Sequence, residues 1–420
     1  MIKNIFVLLF YTSAFFAPWG EGMQHVFSSV SSIFPLCVFG IIVLYPLFRY
    51  KMKRYHLPKA FKIFFTFIFI HTLLYVIINP SVLTFGTTDV YVTGDNFIKG
   101  KTSSGDAILK FFAFGLYSCI LFKSLCSGLV KIPMYLLAFC CGFCSTIIIG
   151  GYQNEYSNDL VRISGGLTDP NAMAVDSLVA LSFALFLLNE VKVKAKINRG
   201  ISLFLVAVSA YALIMSFSRG GMLALFLMAV MYLKRKYKFI KIIFCSIFIF
   251  LLLFIIYKYI IPSDFRETLS MRFDFGEAKE TGGSNRMAIW TAYLARWMYY
   301  FITGTGFGNC PSVLQQHSTG VEVSLNYVTH NQYLLYFVEQ GLLGFILYVS
   351  YIIKGIKEID KTSKKMLFLA LPLMGYATAT FFVNLSGGRT VWIVFAFINF
   401  IYAYNKRKEY EQNISIRSFQ

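Results

Sequence analysis

The chain reads as an all-α, polytopic membrane protein of about 12 transmembrane helices, with a large extracytoplasmic loop that carries an interfacial helix. Three observations predict this. Of its 420 residues, 57% are hydrophobic and only 14% are charged, a balance outside the range of soluble globules. The apolar residues gather into stretches of about 15–23, the length that crosses a hydrocarbon core of roughly 30 Å as a helix. Of the 39 Lys and Arg residues, 27 fall in loops on one side of that alternating series. The positive-inside rule assigns that side to the cytoplasm. The net charge of +19 is therefore an orientation signal, and no nucleic-acid partner is expected.

Spans are predicted near 2–17, 29–47, 61–79, 107–122, 132–150, 171–189, 201–217, 220–233, 242–261, 331–353, 366–383 and 390–404. An even number puts both termini in the cytoplasm. The inner segments are then 49–62, 123–131, 192–199, 234–241, 354–365 and the tail from 406, and every one is basic. Residues 2–17 serve as the first span, so no cleavable signal peptide is required. The apolar run 201–233 is interrupted only by Ser218-Arg219-Gly220-Gly221. As one helix it would extend about 50 Å, too long for a bilayer even when tilted. Both of its flanks are basic, so two spans meeting at a tight outer turn fit better, with Arg219 at the outer mouth.

The whole of 1–420 is expected to be one integral membrane domain without internal repeats. Its outer segments are 80–106, 151–170 and the largest, 262–330, between spans 9 and 10. Within the last, 286–301 reads as a helix along the membrane surface, with Trp290, Tyr293, Trp297 and Phe301 on one face. Trp19, Trp290, Trp297 and Trp392 border outer segments, as an aromatic belt would. The eight cysteines do not form a disulfide framework. Cys140, Cys141 and Cys144 lie in an apolar run and read as small hydrophobes, and only Cys310 falls on the outer side.

Chemistry on the outer side has no supply of nucleotide, so a synthetic reaction there needs a donor activated beforehand. The glycine run Gly304-Thr305-Gly306-Phe307-Gly308 follows no strand and reads as a turn. The outer acids Asp264, Glu267, Asp274, Glu277 and Glu280 lack paired spacing with a histidine, so no metal is expected. Four outer arginines stand out: Arg162 before Ser164-Gly165-Gly166-Leu167-Thr168-Asp169-Pro170-Asn171, Arg219 in its Ser-Arg-Gly-Gly turn, Arg286 after Gly282-Gly283-Ser284-Asn285, and Arg389 after Ser386-Gly387-Gly388. An arginine near the membrane core costs about 2.5–3.5 kcal/mol, and a guanidinium grips phosphate oxygens in bidentate fashion. The cluster predicts an anionic, phosphate-bearing ligand at the bilayer surface. His330, opening the tenth span in Thr329-His330-Asn331-Gln332, can take a proton from a hydroxyl near neutral pH. Glu339, nine residues on, is a candidate supporting acid. Asp176 and His71 are the main polar residues in mid-span, where a transporter would place its site.

Four pieces together, Ser218-Arg-Gly-Gly-Met-Leu-Ala-Leu225, Gly283-Ser-Asn-Arg286-Met-Ala-Ile-Trp290, Thr303-Gly-Thr-Gly-Phe-Gly308 and His330 through Gly344, resemble the O-antigen polymerase and O-antigen ligase superfamily over most of residues 150–400. The resemblance implies a metal-independent membrane glycosyltransferase of the type-C kind that needs no cofactor. Its donor would be an oligosaccharide on undecaprenyl pyrophosphate. His330, Arg219 and Arg286 would carry catalysis, while Arg162, Asp169, Asn171, Asn331, Glu339 and Arg389 would bind substrate. It also implies the bacterial inner membrane, an extracytoplasmic site, and membrane lipids, a flippase and a chain-length regulator as partners. The form of the 168–171 and 218–221 stretches favours a polymerase of surface polysaccharide. A ligase that transfers glycan to lipid A core is the first alternative, and a polysaccharide transporter the second.

Overall fold

A computed structural model describes residues 1–20, 23, 30–52, 55–80, 104–150, 152–154, 161–167, 169–190, 196–237, 286–316, 328–385 and 388–417. Thirteen α-helices are described: α1 (Ile2–Phe16), α2 (Val30–Met52), α3 (Lys59–Ile78), α4 (Ser104–Cys126), α5 (Ile132–Gly150), α6 (Pro170–Glu190), α7 (Lys196–Met215), α8 (Arg219–Lys236), α9 (Arg286–Leu294), α10 (Ser312–Gln316), α11 (Gln332–Lys361), α12 (Leu367–Ala379) and α13 (Arg389–Arg417). Among the described residues α2 to α6 and α11 are long and apolar enough to cross a membrane, and α1, α7 and α12 are shorter apolar helices. This is a polytopic membrane protein. The expected ninth span, 242–261, and residues 262–285 of the large loop lie outside the described residues.

Most helices of the bundle turn one face to their neighbours and leave the other to lipid, whereas α12 is buried along nearly its whole length. On α2, for example, Phe34, Val38 and Ile41 are fully buried while Leu36, Phe39 and Val43 are exposed, the 3.6-residue period of a half-covered helix. Aromatic rings lock the centre. Phe6 of α1 stacks on Phe48 of α2 at 4.5 Å, and Trp392 of α13 meets Phe111 of α4 edge-on at 4.8 Å. Trp19 and Trp392 are buried in the bundle, so the expected aromatic belt does not form from them. Trp19 instead donates its indole N–H to Gly142 O and to Ser145 Oγ of α5, and only Trp297 of the four is exposed.

The basic ends of α8, α11 and α13 meet at one end of the bundle, together with the start of α12. Lys234 pairs with Asp360 at 3.7 Å, Lys361 with Glu358 at 3.3 Å, and Asn405 donates to Glu358 at 3.0 Å. The opposite end is made of connections. The 151–170 segment, expected as a plain loop, contains a two-stranded antiparallel hairpin, β1 (Tyr152–Asn154) with β2 (Val161–Ile163). The surface helix is shorter than its 286–301 pattern: α9 stops at Leu294, and a 3-10 turn follows over Trp297–Tyr299. Its buried face is Ile289, Ala292 and Tyr293, not the row through Trp297. That face packs with Tyr300, Cys310, Val313 and Leu314 on Leu335 and Val338 of α11, so the segment caps α11 rather than lying free on the surface.

Candidate active site at the connection end

The run 201–233 divides as its length required. α7 ends at Met215 and α8 begins at Arg219. Phe217 between them has φ of 48°, a left-handed conformation that reverses the chain. Ser218 caps α8, its Oγ accepting from the Gly221 N–H at 3.2 Å, a contact that contributes about 1 kcal/mol to such a helix start. A side chain at Gly221 would bring its Cβ to 2.7 Å from Ala174 Cβ of α6, so this glycine lets α8 close on α6. The two helix starts are then joined by side chains. Ser218 Oγ donates to Asn171 Oδ1 at 3.0 Å. Asn171 in turn gives both its backbone N–H and its amide N–H to Asp169 Oδ1, at 2.8 and 3.0 Å.

Arg219 stands at this junction, half-buried. Among the described residues its guanidinium has no hydrogen-bond or ion-pair partner. That is unusual for a partly covered charge, because desolvation without a partner is costly.

His330 is fixed from three sides. The preceding Thr329 accepts the Trp290 indole N–H of α9 on its carbonyl at 2.8 Å. The following Asn331 caps α11, its Oδ1 accepting from Tyr333 N and Leu334 N at 3.0 Å each. Gln332 ties the helix start to the α12–α13 connection: its N–H donates to Thr380 O at 2.8 Å, and its Oε1 accepts from Leu385 N at 2.6 Å. Between these anchors His330 takes φ of 45°, a conformation that a bulky residue holds only when its surroundings impose it. The imidazole, too, has no hydrogen-bond partner among the described residues. Burial pushes its pKa below the usual histidine value, Arg286 at the start of α9 lowers it further, and Asp169 acts in the opposite sense. Arg286 and Asp169 therefore each lie within electrostatic reach of His330.

The remaining predicted residues divide by what holds them. Arg162 sits on β2 opposite Gln153, on the hairpin that leads into the Asp169 turn. Thr168 and Gly282 through Asn285 lie outside the described residues. Asn331, assigned to substrate by sequence, has its oxygen engaged as a helix cap. Glu339, similarly assigned, is buried, and its carboxyl accepts the backbone N–H groups of Gly308 and Cys310. It fastens the glycine turn, which fits there because a Cβ at Gly304 would fall 2.3 Å from Glu339 O. Arg389, also assigned to substrate by sequence, is engaged by backbone carbonyls. Its guanidinium donates to Trp19 O, to Phe16 O at 3.3 Å and to Ser31 O at 2.6 Å, and lies 5.2 Å from the Phe34 ring centre. It pins the connection between α1 and α2, a role its Ser-Gly-Gly-Arg context did not reveal.

Beside Asn331, an open cavity of about 310 Å³ is lined by Trp290, Leu294, Tyr333, Leu334, Phe337 and Phe345. It is almost wholly apolar. Its walls come from α9 and α11, which meet only in the fold, so no local sequence pattern marks it. No cluster of three or more His, Cys, Asp or Glu placed to hold a metal ion occurs among the described residues.

No curated protein matches the chain. Residues 204–349 match the family model described as O-antigen ligase, a stretch that runs from α7 through α9 into α11 and includes Arg219, Arg286 and His330. Over that stretch, which is less than half of the 420 residues, the chain is similar to the O-antigen ligase family.

Proposed function

We propose that the protein is a polymerase of surface polysaccharide, acting at the extracytoplasmic face of the bacterial inner membrane with both its termini in the cytoplasm. The donor is a growing glycan on undecaprenyl pyrophosphate, and the acceptor is a lipid-linked repeat unit. The observation that supports this reading is that the matched segment contains a half-buried arginine, Arg219, and an imidazole, His330, neither with a hydrogen-bond partner among the described residues. A phosphate-bearing ligand answers the first and an exchangeable hydroxyl proton the second.

In this scheme the neutral His330 imidazole takes the proton of the acceptor hydroxyl. The hydroxyl oxygen attacks the anomeric carbon of the donor sugar. The bond from that carbon to the pyrophosphate oxygen breaks, and its electron pair leaves on undecaprenyl pyrophosphate. Arg219 and Arg286 offset the charge that grows on the leaving oxygen. The residues needed for this are all the chain's own, so the scheme calls on no metal or cofactor. The apolar cavity beside Asn331 would take the first isoprene units of a lipid carrier.

A ligase that transfers glycan to lipid A core is the second reading, favoured by the description of the matched family. Transport is less well supported. Asp176 is hydrogen-bonded to Thr390 near Arg389, and His71 contacts Thr303 O at 2.6 Å, so both mid-span polar groups serve as packing contacts. Deletion in the native host separates the readings. A polymerase mutant shows single repeat units on lipid A, whereas a ligase mutant accumulates lipid-linked polymer above bare core. Unaltered glycan in the deletion overturns both.

A further inference from the structure

The connection between α12 and α13 touches both the arginine turn and the histidine turn. On one side, Phe382 lies against the Ser-Arg-Gly-Gly turn. A Cβ added at Gly220 would fall 2.8 Å from Phe382 Cδ2 and 3.2 Å from its Cβ and Cγ. The phenyl ring therefore sits directly on the residue that follows Arg219, with no room for a methyl group between them. On the other side, the same connection brackets His330. Thr329 Oγ1, which donates to Asn331 O at 2.9 Å, also meets Asn384 Oδ1 at 3.3 Å. The Leu385 N–H donates to Gln332 Oε1 at 2.6 Å, and the Gln332 N–H donates to Thr380 O at 2.8 Å. Between these bonds Phe381 stacks on Tyr333, ring centres 4.3 Å apart. The joint is held at a cost. Gln332 is fully buried and its Nε2 has no partner among the described residues, while His330 takes a positive φ. Such conformations persist only where the surroundings impose them.

We infer that the Thr380–Leu385 stretch is a spacer that sets where His330 stands relative to Arg219, with Phe382 and Asn384 as its positioning residues. Phe382 bears on the arginine turn, and Asn384 bears on the residue before the histidine. This rests on the reading of Arg219 and His330 as parts of one site. It gives a role to a stretch that lies beyond the matched residues 204–349. It also gives Gly220 a reason of its own, apart from the contact of Gly221 with α6: a side chain there would push the spacer away. A displacement of about 1 Å between reacting groups can cost on the order of 100-fold in rate, so such a spacer acts on turnover without touching substrate.

The test uses the full-length protein in detergent, with lipid-linked oligosaccharide extracted from the deletion host as substrate. Phe382→Ala is expected to lower the maximal rate per folded molecule about 10-fold or more while KM stays within about 3-fold, the pattern of lost positioning rather than lost binding. Phe382→Leu serves as the readout should Phe382→Ala not accumulate. Gly220→Ala is expected to lower the rate likewise, and Phe382→Leu in the same chain to recover most of that loss, because the two side chains share one space. A separate readout needs no turnover. The added Gly220 Cβ lies 3.2 Å from Phe382 Cβ, near the roughly 3.5–4.5 Å of a disulfide, so a Gly220→Cys, Phe382→Cys pair is expected to cross-link on oxidation, seen as the joined peptide by mass spectrometry. An unchanged rate per folded molecule in the Phe382 variant, a Gly220→Ala loss that Phe382→Leu does not relieve, or no cross-link overturns the inference. Failure of the enzyme reading would appear instead as unaltered glycan in the deletion.

Discussion

The two ends of the bundle are both polar, yet they treat their charges in opposite ways. At the basic end, Lys361 meets Glu358, Lys234 meets Asp360, and Arg235 donates to Thr362 O. At the connection end, the polar groups around Arg219 and His330 are tightly bonded while the two residues themselves have no partner among the described residues. Arg389 sharpens the contrast, because it lies at the connection end and donates to three backbone carbonyls. Position in the membrane therefore does not mark a functional arginine. What separates Arg219 from Arg389 is a rigid frame that gives its guanidinium no partner among the described residues.

The comparison can be broken most directly at the unsatisfied residues. His330→Ala is expected to reduce glycan elongation about 100-fold or more, as loss of a proton acceptor does, with unchanged protein level by immunoblot. Wild-type chain length would remove it from the mechanism. Arg219→Lys is expected to lose on the order of 100-fold, because a point charge does not reproduce a planar fork. Full activity on the same gels would reduce Arg219 to a simple charge.

Arg389→Gln should behave differently. Three carbonyls lose a donor, at about 1–3 kcal/mol for each group left buried and unpaired. Lower thermal stability in detergent is expected, with activity per folded molecule largely kept. Loss of activity at full stability would place Arg389 with the catalytic set.

A smaller effect is read from pH. His330 acts as a base only when neutral, and its pKa lies below the usual histidine value. Activity should persist at neutral pH and fall as pH drops through that value. Arg286→Gln removes a nearby cation, so the midpoint of that fall should move to higher pH, whatever happens to the maximal rate. A midpoint that stays put would remove the electrostatic link. The smallest effect belongs to the basic end. Lys234→Ala is expected to change stability by under about 1 kcal/mol, since its pair with Asp360 is solvent-exposed, and a large loss on denaturation would contradict the comparison.

Much of the fold was legible in the sequence, because burial in lipid forces backbone pairing within each helix and long apolar runs leave little choice. The division at residues 216–218 could be read from length alone. The roles of single polar residues could not. Asn331 and Glu339 have the composition and location of ligand contacts, but their oxygens face backbone N–H groups that only the folded chain brings near. Arg389 shares the small-residue context of Arg219, and nothing local tells that Trp19, Phe16 and Ser31 will present carbonyls to it from the far end of the sequence. The expected aromatic face of 286–301 failed for a related reason. The inner face of the helix is set by α11, which covers Ile289, Ala292 and Tyr293.

The interruption of α11 at Gly341, where φ is 65° and ψ is −173°, carries a consequence for biogenesis. Around that break the ladder is completed from outside the helix: Thr305 N–H bonds to Val338 O, Gly306 N–H to Glu339 O, and Leu342 N–H to Phe301 O, at 2.8–3.0 Å. Bare backbone groups at membrane depth are tolerated only when protein covers them. The stretch 332–341 thus cannot settle in the bilayer as a lone hydrophobic rod. It must wait for its glycine-rich splint, which precedes it in the chain and leaves the ribosome first, so His330 is set in place only once that splint has docked.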